Sequence, residues 1–216
     1  MDKLRNKIIA AGFLFNPDGS VYRPNIPGIV GNWFMPTTES FARELDYATL
    51  IPRIHPHRLK FCDEKKMMSE FGTTITVIGF CGIARDTCPF GFVLRHGTID
   101  FSTFQDAVLE ASVTGILRYG DVLVLDNKAI HRHRDASILE DVLYENGISV
   151  LFMPTHSPEL NPMKTMFMWK MLEARMKHLG FGGMMSDLSN TRIASMIMLG
   201  FTHGDVDVCY NSAGYI

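Results

Sequence analysis

The stretch from Asp121 to Trp169 constrains the fold of this chain more than any other. Val122–Leu125 is an unbroken apolar run, which suits a strand covered on both faces, as in a parallel sheet. It stops abruptly at Asp126-Asn127, and a carboxylate at the C-terminal end of a central strand lies where α/β sheets place their chemistry. Asp135–Asn146 reads as a helix and Ile148–Met153 as a second apolar strand. The three form a βαβ unit with a right-handed crossover. Pro154–Pro162 is a proline-punctuated loop, after which Asn161 is a good N-cap and Pro162 suits the first helical position.

Before this unit, Arg58–Lys65 reads as a short strand of alternating character that ends in the acid pair Asp63-Glu64. Thr74–Cys81 is a β-branched strand and Gly91–Arg95 another, so three strands in succession predict an antiparallel meander. Asp100–Leu117 carries Phe104, Val108, Ala111 and Leu117 at roughly helical spacing. Residues 1–50 are broken by Pro17, Pro24, Pro27 and Pro36, with short helices conceivable around Lys3–Ala11 and Glu39–Ala48. Beyond the glycines at 180, 182 and 183, a helix is predicted over Asp187–Leu199. Thr202, with Asp205 three residues on, then marks a capped helix start. The expected division is an irregular segment over 1–50 with no clear DNA-reading motif, an α/β domain over 51–180 and a helical extension over 181–216.

Composition excludes several classes. Among 216 residues, 46% apolar and 20% charged content is ordinary for a globular protein, and no stretch approaches a membrane span. The first residues lack the apolar run of a secretory signal, so secretion is not expected. Four cysteines without a CxxC pair read as reduced structural thiols. A formal charge of −2 is not the overall basicity of a typical nucleic-acid binder. Local clusters run the other way: Arg53, His55, His57, Arg58 and Lys60 precede Asp63, and Lys128, Arg132 and Arg134 follow Asp126. Each cation alone reads equally as a solvated face or a phosphate contact, and two clusters flanking two acids favour DNA.

The motif Leu125-Asp126-Asn127 with Ile130-His131, followed by Leu151-Phe152, Pro154 and Ser157-Pro158-Glu159-Leu160-Asn161-Pro162 and then Trp169, resembles the catalytic core of DDE transposases of the mariner superfamily. The resemblance covers about residues 50–216, including a tail that ends in Gly214-Tyr215. It implies an α/β, ribonuclease H-like mixed sheet, three antiparallel strands then parallel ones, with flanking helices. It also implies DNA cleavage and strand transfer assisted by Mg²⁺ or Mn²⁺, with two ions about 3.5–4 Å apart held by carboxylates. Asp63 maps onto the first acid and Asp126 onto the second, both as catalytic groups and metal ligands. Asp86 and Asp100 are rivals for the first position, but neither ends an apolar strand. His131 reads as a packed or orienting residue.

At the third acid the sequence departs from the family and has Lys164. An acid there would meet the positive end of a helix, whereas an ammonium repels divalent cations. Glu159 is no evident substitute, and Glu173, nine residues further along the helix, points to the opposite face at 3.6 residues per turn. Only Lys65–Thr73 separates the first acid from the second strand, which puts that strand's register in question. No helix-turn-helix is evident upstream, so truncation or divergence is expected at that end. The expected function is a transposase-like DDE endonuclease domain with activity lost or impaired. The alternative is a non-catalytic remnant that binds DNA or protein. DNA is the expected partner and a homodimer the family's habit. The compartment would be the nucleus in a eukaryote and otherwise the cytoplasm. Met163, Met166, Met168, Met171 and Met176 read as adaptable core filler.

Overall fold

The computed structural model describes residues 14–15, 21–22, 50–68, 74–126, 136–154, 157–164, 168–178 and 187–216. The short strands β1 (Leu14–Phe15) and β2 (Val21–Tyr22) form an antiparallel ribbon. The conceivable helices at Lys3–Ala11 and Glu39–Ala48 lie outside the described residues.

The main sheet contains β3 (Leu59–Met68), β4 (Thr74–Cys81), β5 (Phe90–His96), β6 (Val122–Leu125) and β7 (Ser149–Phe152), in the order β5-β4-β3-β6-β7. β3, β4 and β5 are the antiparallel meander, while β6 runs parallel to β3 and β7 parallel to β6. That mixed topology is ribonuclease H-like. The fully apolar β6 is an inner strand with packed side chains on both faces of the sheet, and all four of its residues are buried.

β3 differs from expectation. It does not stop at Asp63-Glu64 but pairs with β4 as far as Met68 opposite Thr74. The polar run Glu64-Lys65-Lys66 carries no apolar signal for a longer strand, yet ladder bonds come from the main chain and do not depend on side-chain polarity. The short connection leaves the register intact, and Asp63 stands opposite Gly79.

The two faces of the sheet bury different helices. On one, Phe61, Val77, Val124 and Leu151 pack against Ala194, Ile197, Met198, Val206 and Tyr210, which belong to α4 (Asp187–Leu199) and α5 (His203–Ala213). On the other, Cys62, Ile78, Phe80, Leu123 and Leu125 meet Phe104, Val108 and Ala111 of α1 (Phe101–Val113) and Leu139 and Leu143 of α2 (Ala136–Glu145). The remaining helix, α3 (Met168–His178), follows the proline-rich loop. α1 ends at Val113 rather than Leu117. Gly115, at φ 76°, turns the chain, and Leu117 folds back so that its N–H donates to the Ala111 carbonyl.

Asp100 is the N-cap of α1. Its carboxylate accepts from the Thr103 N–H at 2.8 Å, and that bond holds its pKa below the ordinary value. Asp86 pairs with Arg118 at 3.4 Å. α5 starts with the reciprocal capping box read from Thr202 and Asp205 and closes on Gly214 at φ 82°. Cys62, Cys81 and Cys209 are buried and Cys88 is exposed, all four as free thiols. Among the described residues no helix is long and apolar enough to cross a membrane.

Candidate functional site

The parallel ladder between β3 and β6 pairs Phe61 with Val124. Two residues further along each chain stand Asp63, still on β3, and Asp126, just past the end of β6, and their carboxylates converge on the same lysine. Side chains alternate along a strand, so both acids share the face of Phe61 and Val124, which α4 and α5 cover. Both are nearly inaccessible, with Asp63 1% and Asp126 7% exposed. Two ionised carboxylates this well buried repel each other, and a nearby cation relieves that repulsion.

That cation is Lys164. Its Nζ donates to Asp126 Oδ2 and lies 3.9 Å from Asp63 Oδ1. Opposite unit charges about 4 Å apart attract by about 4 kcal/mol at an effective dielectric near 20, which offsets much of the desolvation of the acids.

The chain around Lys164 is built to deliver it. Asn161 is fully buried; its Oδ1 accepts from Met163 N–H at 2.9 Å and its carbonyl from Lys164 N–H at 3.0 Å. The predicted cap therefore closes a turn over 162–164, and the described helix α3 begins at Met168. Met163 is fully buried on the acid face. A Cβ at Gly79 would come within 2.7 Å of its Cε and 2.6 Å of Phe90 Cζ. Three residues before Met163, the Leu160 carbonyl accepts from the Tyr215 hydroxyl at 2.7 Å. Gly79, Met163 and Tyr215 were not singled out for the site by the sequence. The signal available was the alternation of β4, which places Gly79 on the face of Asp63.

Glu173 does not lie on the far side. It pairs at 2.7 Å with Lys65, which shares the β3 face of Asp63, and the bond from Lys65 lowers its pKa. A helical period counted from Lys164 misplaces it because Lys164 belongs to the turn and Glu173 to α3. Its carboxylate is engaged by Lys65, while Glu159 is half-buried on the short 3-10 turn Pro158–Leu160.

The basic cluster before Asp63 is divided. Arg53, His55, His57 and Arg58 are exposed, but Lys60 is 2% exposed and donates to Thr87 Oγ1 at 3.1 Å. Burial lowers the Lys60 pKa, and no phosphate can reach it. Arg58 donates to the Gly120 carbonyl, at the opposite end of β6 from Asp126. Lys128, Arg132, Arg134, Asn127, Ile130 and His131 lie outside the described residues, as do the side chains of Met166, Met168, Met171 and Met176.

The donor set does not suit a pair of divalent ions. Two carboxylates converge, one already bonded to an ammonium, and no group of three or more His, Cys, Asp or Glu is placed to hold a metal among the described residues. Mg²⁺ and Mn²⁺ want several oxygen ligands and no neighbouring cation.

The family model for DDE superfamily endonucleases matches residues 66–182, more than half of the chain. The match begins three residues after Asp63 and takes in Asp126 and Lys164. Among solved structures, the catalytic domain of the Mos1 mariner transposase aligns with a TM-score of 0.57 at 12% identity, covering 82% of this chain and 87% of that one. The same catalytic domain with raltegravir and Mg aligns with a TM-score of 0.53 at 16% identity, over 81% and 92%. The Mos1 strand transfer complex aligns with a TM-score of 0.57 at 15% identity, over 97% of this chain and 65% of that one. At these identities the likeness is one of fold. No curated protein sequence matches the chain.

Proposed function

The chain belongs to the DDE superfamily endonucleases, and from that premise we propose that it is a transposase-like domain that engages DNA but has given up metal-dependent strand cleavage. The observation that carries this reading is the bond from Lys164 Nζ to Asp126 Oδ2, with Asp63 3.9 Å away. Structures of the Mos1 catalytic domain include one with Mg and one with Mn. In this chain an ammonium occupies the space between the acids that such an ion would need.

DNA as partner is inferred from the family and from Mos1 complexes described as a paired-end complex with the left transposon end and a pre-cleavage transpososome. A paired arrangement of two copies is the corresponding assembly. Two carboxylates and one ammonium leave the acid pair with a net charge of −1, which disfavours a phosphodiester there. Phosphate contact is therefore assigned to Lys128, Arg132 and Arg134, and to the exposed Arg53 at the start of the domain. Chromosomal DNA as target places the protein in the nucleus of a eukaryote or the cytoplasm of a bacterium.

The test is nicking of supercoiled plasmid in Mg²⁺ or Mn²⁺ by wild type, Asp126→Ala and Lys164→Glu, with DNA retention measured in parallel across a salt series. The expected result is retention that weakens with salt and no nicking by wild type above the Asp126→Ala background. Nicking by wild type that Asp126→Ala abolishes would mean an active endonuclease instead. Failure to retain DNA at low salt would remove the DNA-binding half of the reading.

A further inference from the structure

We propose that the Lys164 ammonium is the resident counter-ion of the Asp63–Asp126 pair, a tethered replacement for a metal, so that the domain folds without divalent ions and its acid pair excludes them. This deepens the reading above and rests on the same site, but it concerns folding and ion binding rather than DNA.

Three observations support it. Asp63 and Asp126 are nearly fully buried on adjacent parallel strands and face the same way. Burying both as carboxylates costs desolvation and mutual repulsion, which a neighbouring ammonium offsets. The Lys164 side chain is itself only 28% exposed and reaches both acids from one point. Its backbone is fixed independently of the acids: Asn161 closes the turn, Met163 fills the space above Gly79, and Tyr215 holds Leu160. The lysine backbone is thus presented to the acids by packing, and the ammonium is tethered where it can reach both. A divalent ion would have to expel it, strand a cation beside the incoming charge, and make do with two carboxylates.

Thermal unfolding of wild type, Lys164→Met and Lys164→Arg in EDTA and in millimolar Mn²⁺, together with Mn²⁺ binding by electron paramagnetic resonance, tests this. Wild type and Lys164→Arg should unfold at the same temperature in EDTA and Mn²⁺, to within about 1 °C, because neither binds the ion at the pair. Lys164→Met should unfold several degrees lower in EDTA and regain roughly 3 °C or more in Mn²⁺, binding about one ion. That regain should vanish in Lys164→Met/Asp126→Asn. A merely structural lysine would give a destabilised Lys164→Met indifferent to Mn²⁺, and that result overturns the proposal. Should Lys164→Met not fold in EDTA, refolding it in Mn²⁺ decides: recovery supports the proposal and failure contradicts it. Mn²⁺ bound by wild type and lost in Asp126→Asn overturns it too, whether or not wild type nicks DNA. Nicking without such ion binding would sink only the proposed function.

Discussion

Gly79 stands opposite Asp63 in the β3–β4 ladder, and the space its absent side chain leaves is filled by the end of Met163 and the edge of Phe90. The residue after Met163 is Lys164, so a glycine on one strand decides how the ammonium approaches an acid on the next.

Gly79→Ala forces a methyl group into contacts of 2.6 and 2.7 Å and must push Met163 outward. Overpacking of this kind costs about 1–3 kcal/mol. Denaturant unfolding should show that loss, and Gly79→Ala should cost less on a Met163→Ala background than in wild type, because the methyl then finds room. An equal cost on both backgrounds would show that Met163 is not what Gly79 accommodates.

The C-terminal helix is fastened to the same sheet by Tyr210. Its hydroxyl is buried within 2.8 Å of the Leu59 carbonyl and 3.0 Å of the Cys81 carbonyl, and donates its one hydrogen to this pair of acceptors. The ring meets Phe61 edge-on at 5.4 Å. Tyr210→Phe keeps the ring and leaves both carbonyls short of that donor, so a loss of about 1–3 kcal/mol is expected. For a domain of this size that is roughly 2–4 °C in Tm for each kcal/mol. A Tm unchanged in Tyr210→Phe would remove the hydroxyl from the account.

Lys60 gives the pH prediction. Burial lowers its pKa in the folded state, so between that value and the ordinary one near 10.4 the unfolded chain binds more protons. Stability attributable to Lys60 therefore rises with pH through that alkaline window, and the charged amine penalises the fold below it. Lys60→Met, similar in length and free of the charge, should be at least as stable as wild type at pH 7. Its advantage should narrow as pH climbs toward 10. An advantage that widens with pH would reverse the sign and refute the assignment.

The legible parts of the fold were those where local pattern and tertiary context agree. β6 was plain because four consecutive apolar residues suit a strand covered on both faces, and α5 because Thr202 and Asp205 form their capping box within one turn. The length of β3 was not legible: the strand was read only as far as Lys65, because the polar residues 64–66 carry no apolar signal, and pairing with β4 holds them in it. The approach of Lys65 to Glu173 was missed for a related reason, since a helical phase cannot be carried from the turn at Lys164 into α3. Asp63, Asp126 and Lys164 were named from the motif, but the bond from the lysine to Asp126 is a fact of three dimensions. Lys60 looked like part of a basic surface cluster; only the packing over Gly82, where a Cβ would meet its side chain at 2.6 Å, shows it to be interior.

The central claim is that an ammonium, and not a metal, holds Asp63 and Asp126 together. Crystals of the wild-type protein soaked in Mn²⁺ and measured for anomalous scattering at the manganese edge test it most directly. The account predicts no anomalous peak between the two carboxylates and Lys164 Nζ in bonding contact with Asp126. A manganese peak coordinated by both aspartates, with the lysine swung out into solvent, would contradict it.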